Sequence, residues 1–308
     1  MSAELRARVE DYLRIRRALG FKLEDHGRML PAFVSYLEHT GASTFTVEAA
    51  LGWATQPLGV QPYRWKQRPS AARGFARYLH ALDPAVPVPP SDLLVYRRRR
   101  PTPHLFSDTD ITRLLSAAAA RPRPLSAATY YALFGLLAAT GMRVGEAVGL
   151  DTGDVDLAAG VIVIRETKFN KSRRIPLRPS TVAALRDYLQ LRQRLCPAPK
   201  ALCFFVSSRA GRITTRRARA MFARLVEAAG LEPRTGTPLR VHDLRHSFAV
   251  ATLLDWYRDG ADIDARMPLL SAYLGHVSPV STYWYLQATP ELLAVAARRL
   301  EQHNGARP

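Results

Sequence analysis

The chain has 308 residues, 47% of them hydrophobic and 23% charged, which excludes a disordered protein and leaves room for two domains. Its formal net charge is +18, of which residues 1–100 carry +7 and residues 107–308 carry +11. A basic excess in both halves predicts that both face a polyanion such as nucleic acid, although an arginine-rich proteome would also produce it.

The two cysteines and the N-terminal residues indicate in which cellular compartment the protein is expected. Cys196 and Cys203 stand without other cysteines, which excludes a disulfide framework or a zinc knuckle, and we expect reduced, buried thiols in a cytoplasmic protein. Charged residues among the first ten exclude an apolar signal core. The longest uncharged apolar stretch, residues 130–142, is too short to span a bilayer.

Apolar residues at helical spacing divide the N-terminal region into helices, with Gly20 and Gly41 as stops. The last of these helices carries Arg73 and Arg77 beside aromatic residues, and we expect both arginines to contact DNA. The four predicted helices end at Leu19, before Gly41, at Ala54 and at Leu82.

A proline-rich and basic segment follows these helices. Residues 83–90 contain four prolines, which cannot continue a helix. Four adjacent arginines repel one another in water, so the run indicates a linker that crosses a charged partner, or else an ordinary solvated linker. The run consists of Arg97, Arg98, Arg99 and Arg100. We predict a helical DNA-binding domain over residues 1–90, a linker over 91–106 and a second domain over 107–308.

The second domain is predicted to be mainly helical with one small sheet. Ser107 and Asp110 have the spacing of a capping box and start a helix. Residues 161–165 contain four consecutive β-branched residues and predict a strand, with a turn at 169–171 and a return strand at 173–177. Further helices are predicted over residues 125–140, 180–195, 214–229, 243–257, 279–286 and 290–302.

The order of arginines, histidines and a late tyrosine suggests attack on a phosphodiester. Arg143 and Arg245 are candidates to neutralise the non-bridging oxygens, because guanidinium stays protonated and matches phosphate geometry. A free phenol has a pKa of about 10, so a nucleophilic tyrosine needs a base or a cationic field. Tyr285 is the candidate nucleophile, and His242 lies on the same helical face as Arg245.

Several alternatives stay open at this point. Lys168, at the tip of the predicted hairpin, is the preferred acid for the leaving 5′-oxygen, with Lys171 as its rival. Tyr283 competes with Tyr285, but Tyr285 is preferred because it follows His276 by nine residues, and Tyr283 and Trp284 are then expected to be packing residues.

A zinc hydrolase is the alternative for the two histidines at positions i and i+4. His242 and His246 have that spacing, but Asp243 is too short for the usual base and no third ligand is evident. We therefore predict that His246 is structural, with its ring bonded locally.

Four segments that carry these arginines, histidines and the tyrosine together resemble the tyrosine recombinases, the phage-integrase and Xer-type family, over about residues 90–303. Residues 281–286 further resemble recombinases encoded by transposon-like elements. The segments that carry the resemblance are Thr140–Glu146, Lys168–Leu177, His242–Ala249 and Leu274–His276 with Tyr285.

The resemblance implies a two-domain fold and a mechanism. A helical core-binding domain and a mixed α/β catalytic domain would form a C-shaped clamp on duplex DNA. Tyr285 would attack the scissile phosphate, giving a 3′-phosphotyrosine and a 5′-hydroxyl, without a metal or nucleotide cofactor. Glu146 would orient Arg143. The residues expected around the phosphate are Arg143, Lys168, His242, Arg245 and His276.

A homo- or hetero-tetramer, with partner recombinases possible, would bind synapsed sites in the cytoplasm of a bacterial-type cell. Without DNA the chain could be a monomer, and no membrane partner is expected. The C-terminal segment from Pro290 is expected to dock on a neighbouring protomer or within its own chain. A type IB topoisomerase and a non-catalytic DNA-binding protein remain alternatives. Further DNA contacts are predicted for Arg173, Arg174, Arg216, Arg217 and Arg219.

Overall fold

The structure is a computed structural model that describes residues 2–42, 44–56, 67–91, 103–165, 172–233, 236–276, 278, 280–287, 292 and 294. It divides into two compact units, Met1–Arg100 and Pro101–Pro308. Each unit has a hydrophobic core of its own. The basic run from Arg97 to Arg100 lies outside the described residues, and the predicted domain limits and clamp remain predictions.

The first unit is built from helices around an aromatic core. Phe33 and Phe75 are completely buried, and Trp53 packs against Phe33 with 5.0 Å between ring centroids. Thr46 caps the third helix, because its Oγ1 accepts a hydrogen bond from the Ala49 N–H. The four predicted helices are confirmed as α1 (Ser2–Ala18), α2 (Glu24–His39), α3 (Val47–Thr55) and α4 (Gln67–Leu82).

The second unit is also mainly helical and begins as predicted. The Ser107 Oγ accepts from the Asp110 N–H at 3.1 Å, and Asp110 Oδ2 accepts from the Ser107 N–H at 3.0 Å, which is a capping box. The helices described here are α5 (Asp108–Ala119), α6 (Pro124–Thr140), α7 (Val144–Gly149), α8 (Pro179–Leu195), α9 (Thr215–Ala228), α10 (Val241–Arg258), α11 (Ile263–Leu274) and α12 (Val280–Tyr283), which leads into a 3-10 turn at Trp284–Gln287.

One small antiparallel sheet has the strand order β1 (Val155–Asp156), β2 (Val161–Ile164) and β3 (Arg173–Pro176). Ile162 and Ile175 lie opposite each other and are both completely buried. The predicted strand and its return strand are therefore confirmed. The two-residue β1 was not predicted, because two residues are too few to show an alternating pattern. The predicted turn at the hairpin tip lies outside the described residues.

α6 crosses the centre of the second unit and packs against α5, α8 and α10. Leu133 and Phe134 are completely buried, and Leu136 and Leu137 are 1% exposed. A helix that is apolar on nearly every side must be covered on nearly every side, so α6 organises the core. The predicted buried helix and the predicted fold class, mainly α with a small sheet, are confirmed.

α11 is a helix that the sequence prediction missed. Pro268 lies inside it and removes a main-chain donor, which argues against a helix. The helix nevertheless forms, because Asp262 caps it through the Ala265 N–H and a buried face that includes Met267 and Leu270 packs against α10. Tertiary burial here outweighs the local cost of proline.

Two smaller expectations concern cysteines and membranes. Cys196 and Cys203 are free and buried, as expected. Within the described ranges, no helix combines the length and the apolar character that crossing a bilayer requires.

Candidate active site

Arg143 stands at the junction between α6 and α7. α6 ends at Gly141, whose φ of 61° lies in the left-handed region that favours glycine. A Cβ at this position would also lie 2.5 Å from the Phe248 ring. The reversal makes Arg143 the residue before α7, where its N–H donates to Glu146 Oε2 at 2.9 Å. The turn at Gly141 therefore fixes the main-chain position from which the Arg143 side chain extends.

Glu146 joins two arginines. Arg143 Nη1 donates to its Oε1 at 2.9 Å, and Arg173 Nη2 donates to its Oε2 at 2.8 Å. Only 10% of the Glu146 side chain and 13% of the Arg173 side chain are exposed. Burial alone would raise the pKa of Glu146, but the hydrogen bonds from Arg173 and Arg143 lower it below its usual value. The carboxylate is therefore ionised and holds both guanidinium groups.

Three arginines converge on the C-terminal end of α11. The last carbonyls of a helix have no partner within it and carry partial negative charge, which attracts cations. Gly275 ends the helix with a φ of 67°, and a Cβ there would lie 2.7 Å from Arg173 Nη1. The donor–acceptor pairs are Arg173 Nε to Tyr273 O at 2.9 Å, Arg245 Nη2 to Leu274 O at 2.6 Å and Arg143 Nη2 to Gly275 O at 2.8 Å.

Arg245 is the most deeply buried of these arginines, with 2% of its surface exposed. Its Nη1 donates to the Gly141 carbonyl at 3.0 Å, so it links the end of α6 to the end of α11. Burial and the nearby Arg143 lower the pKa of Arg245 to about 10. The guanidinium still carries its charge at neutral pH.

His276 follows directly after the glycine that ends α11. Its Nδ1 shares a 2.6 Å hydrogen bond with the Oγ1 of Thr282, a completely buried residue. Its ring lies nearly parallel to the Tyr285 ring, with 6.2 Å between centroids. Burial, together with Arg245 and Arg143, lowers the pKa of His276 to about 3, so the ring is neutral at pH 7.

Tyr285 is buried, with 2% of its surface exposed. Its hydroxyl lies 3.1 Å from His246 Nδ1, and the Trp284 indole packs against both rings with 5.5 Å between centroids. Tyr283 is 42% exposed, so the expectation that it packs is wrong. The expectation of a locally bonded His246 is also wrong, because its partner lies 39 residues later in the chain.

His242 lies one helical turn before His246, and the two ring centroids are 4.7 Å apart. His242 is an exposed residue, yet partial burial by the surrounding protein and the charge of Arg245 lower its pKa to about 4. Among the residues that the structure describes, no three or more His, Cys, Asp or Glu side chains form a group that could hold a metal ion. The predicted independence from cofactors stays an expectation.

The predicted site residues fall into two groups. Lys168 and its rival Lys171 lie outside the described residues. The other predicted site residues form one cluster in the second unit, which consists of Arg143, Glu146, His242, Arg245, His276 and Tyr285.

Sequence reasoning missed three contacts of this cluster. His246 could have been found, because its i+4 spacing to His242 places both rings on one helical face. Thr282 and Arg173 carry no signal in the sequence that links them to His276 and Glu146.

The arginines predicted to contact DNA differ in their surroundings. The Arg173 guanidinium is largely buried and bonded to Glu146 and the Tyr273 carbonyl, and its contact with DNA stays a prediction. Arg73 is half-buried, and its Nε donates to the Pro89 carbonyl. The remaining described members of the set are exposed: Arg77, Arg174, Arg216, Arg217 and Arg219.

Comparison with known proteins gives concordant results. Residues 105–291 match the family described as Phage integrase family. The chain is 44% identical over 307 residues to a putative integrase/recombinase, y4rB, of Sinorhizobium fredii, covering 96% of this chain and 97% of that protein. It is 28% identical over 281 residues to the tyrosine recombinase XerC of Actinobacillus succinogenes, covering 89% of each. The solved Tn1549 transposon integrase in complex with transposon right end DNA superposes with a TM-score of 0.67 at 18% identity, covering 97% of this chain and 99% of that one.

Proposed function

We propose that this chain cuts and rejoins DNA strands through Tyr285. The premise is that the chain belongs to the phage integrase family and is a site-specific DNA recombinase. The observation that carries this proposal is the position of the Tyr285 hydroxyl. It is buried beside His246 and His276 and lies within electrostatic range of Arg245. Tyr283, its rival, is exposed.

The proposed cleavage step is a phosphoryl transfer to the phenol. The Tyr285 oxygen attacks the scissile phosphorus, so a bond from this oxygen to phosphorus forms while the bond from phosphorus to the 5′-oxygen breaks. Lys168 donates a proton to the leaving 5′-oxygen, and the phenolic proton passes to a neighbouring base. The products are a 3′-phosphotyrosine and a free 5′-hydroxyl. A 5′-hydroxyl from a partner strand reverses the step and completes the exchange.

Each remaining residue of the cluster has a proposed role in that step. Arg143 and Arg245 stabilise the charge on the non-bridging oxygens, since both are protonated and anchored before substrate arrives. His242 and His276 are neutral at pH 7 and donate hydrogen bonds to the same oxygens. Glu146 holds Arg143 in place and does not react.

We propose duplex DNA as the partner and a tetramer on synapsed sites as the working assembly. The net charge of +18 and the exposed arginines at the start of α9 support the DNA partner. We infer that the DNA belongs to a mobile element, because a 44% identical relative is described as a putative integrase/recombinase. The recombinase would act in the bacterial cytoplasm, on nucleoid DNA.

The nucleophile is tested with Tyr285→Phe. We expect this variant to lose the covalent protein–DNA adduct on nicked suicide duplexes, because phenylalanine has no oxygen to attack phosphorus. The duplexes are taken from the DNA that flanks the gene and from fragments that the wild-type protein selects out of a random library. Denaturing gels measure the adduct, and a gel shift checks that DNA binding is retained.

The matched control is Tyr283→Phe, which removes the same hydroxyl two residues earlier. This control should form the adduct at the wild-type rate. An adduct in Tyr285→Phe that disappears in Tyr283→Phe would move the nucleophile to Tyr283.

A further inference from the structure

One contact of the reacting oxygen is not used by the mechanism above. The Tyr285 hydroxyl is hydrogen-bonded to His246 Nδ1 at 3.1 Å, which lies within the reach of a general base. His276 faces the same tyrosine differently, because it lies parallel to the ring and its Nδ1 is bonded to Thr282. Of these two histidines, His246 is therefore the one whose ring nitrogen is hydrogen-bonded to the phenolic oxygen.

The surroundings of His246 hold its ring in position. His242 meets it edge to face at 4.7 Å, and Trp284 and Tyr285 each lie 5.5 Å away, measured between ring centroids. α10 carries the ring and is anchored in the core, since Leu244 and Ala249 on either side of it are buried. The geometry of the contact is thus set before DNA binds.

We propose that His246 is a further catalytic residue, the proton acceptor for the Tyr285 hydroxyl during strand cleavage. The inference rests on the proposed function, in which Tyr285 is the nucleophile. As the new bond from the phenolic oxygen to phosphorus forms, the phenolic hydrogen moves to His246 Nδ1. The imidazolium returns this proton to the phenol when the 5′-hydroxyl reverses the step, so atoms and charges balance over a full exchange.

The protonation state of His246 suits this role. Burial and the neighbouring His242 lower the pKa of His246 to about 3, which leaves the free ring unprotonated at neutral pH. A phenol becomes strongly acidic once its oxygen bonds to phosphorus, so a weakly basic imidazole is sufficient. The ionisable groups that face the ring are His242, Arg240, Arg245, His276 and Tyr285.

The test uses the full chain and a nicked suicide duplex with a 5′-bridging sulfur at the scissile phosphate. A thiolate leaves without a proton, so the cleavage rate then reports on the nucleophile and not on Lys168. His246→Asn keeps an acceptor atom near the position of Nδ1 but takes up no proton at these pH values. Single-turnover cleavage is measured from pH 6.0 to 8.5 for the wild type and the variant.

We expect the wild-type rate to be flat over this range, because the neutral phenol and neutral imidazole are both already present. His246→Asn should cleave about 100-fold more slowly at pH 7. Its rate should rise about tenfold per pH unit, since hydroxide must then generate the phenolate. His246→Ala should lose the same activity and regain part of it with added imidazole.

A purely structural role for His246 would lower the rate without changing its pH dependence. Thr252→Val, a nearly isosteric change on the same helix, controls for disturbance of α10 and should keep the wild-type rate and profile. Circular dichroism checks that each variant folds.

A wild-type rate that itself rises tenfold per pH unit, or a His246→Asn profile equal to that of the wild type, would overturn the inference and leave Tyr285 as the nucleophile. No adduct from the wild type on any duplex would instead overturn the proposed function, and the inference with it.

Discussion

Glu146 is the residue on which the arginine cluster depends. It accepts hydrogen bonds from Arg143 and Arg173, and both of those arginines also donate to carbonyls at the end of α11. Neutralising this carboxylate would leave two cations close together in a largely buried place. A single side chain therefore couples the stability of the second unit to the geometry of the proposed phosphate site.

Glu146→Gln should lower the free energy of unfolding by about 3 kcal/mol, because it removes the charge partner of the largely buried Arg173 as well as that of Arg143. Urea unfolding at pH 7.5 measures this change, and adduct formation should fall with it as Arg143 loses its anchor. Glu227→Gln, at an exposed position of α9, is the matched control and should stay within about 0.5 kcal/mol of the wild type. Equal stability of the two variants would contradict the anchoring role.

At the scale of elements, the end of α11 is where separate parts of the chain meet. Arg143 lies 132 residues before the carbonyl to which it donates, and Arg173 lies 100 residues before its own acceptor. The helix end can receive these cations because Gly275 has no side chain, so the guanidinium groups approach the main chain directly. A short piece of backbone thus organises side chains from three elements.

Gly275→Ala should disrupt this arrangement. Its Cβ would lie 2.7 Å from Arg173 Nη1 and 3.4 Å from Arg143 Nη1, and a left-handed φ is itself unfavourable for alanine. We expect a loss of about 2–3 kcal/mol in unfolding free energy, combining left-handed strain with displaced arginines. Urea unfolding and adduct formation are the measurements.

Gly260→Ala is the control for the strain alone. Gly260 has a φ of 69°, and a Cβ there would meet nothing within 4 Å. It should cost only about 1 kcal/mol and leave cleavage unchanged. If both glycine variants cleave equally well, the close approach of the arginines to the helix end does not matter for the reaction.

At the scale of the whole molecule, the basic excess is spread over both halves of the sequence. A protein that neutralises several phosphates releases counterions, so its affinity for duplex DNA falls steeply with salt. The exposed arginines at the start of α9 are the described residues best placed by sequence and exposure for such contacts.

DNA binding should weaken by about 10³-fold between 50 and 200 mM salt if about six phosphates are contacted. Fluorescence anisotropy with a labelled duplex measures the slope of log affinity against log salt. Arg216→Gln should reduce the magnitude of that slope by about one. Arg258→Gln, which removes an exposed charge that is already paired with Asp255 at the end of α10, should leave the slope unchanged. A flat salt dependence would contradict the polyanion partner.

The sequence by itself determined the fold class, most of the helices and the identity of the family. These follow from local signals: the capping box at Ser107, the apolar run of α6 and the β-branched residues of β2 are each read over a few neighbouring positions. The order of the arginine, histidine and tyrosine boxes could be read in the same way. α11 was not predicted, because Pro268 argues against a helix that capping by Asp262 and packing against α10 nevertheless stabilise.

Only the tertiary structure decided which side chains touch. It buried Tyr285 and left Tyr283 exposed, and it placed His246 on the phenolic oxygen. It also turned Arg173 away from solvent and onto Glu146. The physical reason is that these contacts join residues 27 to 39 positions apart, and no local periodicity encodes which faces meet once the helices pack.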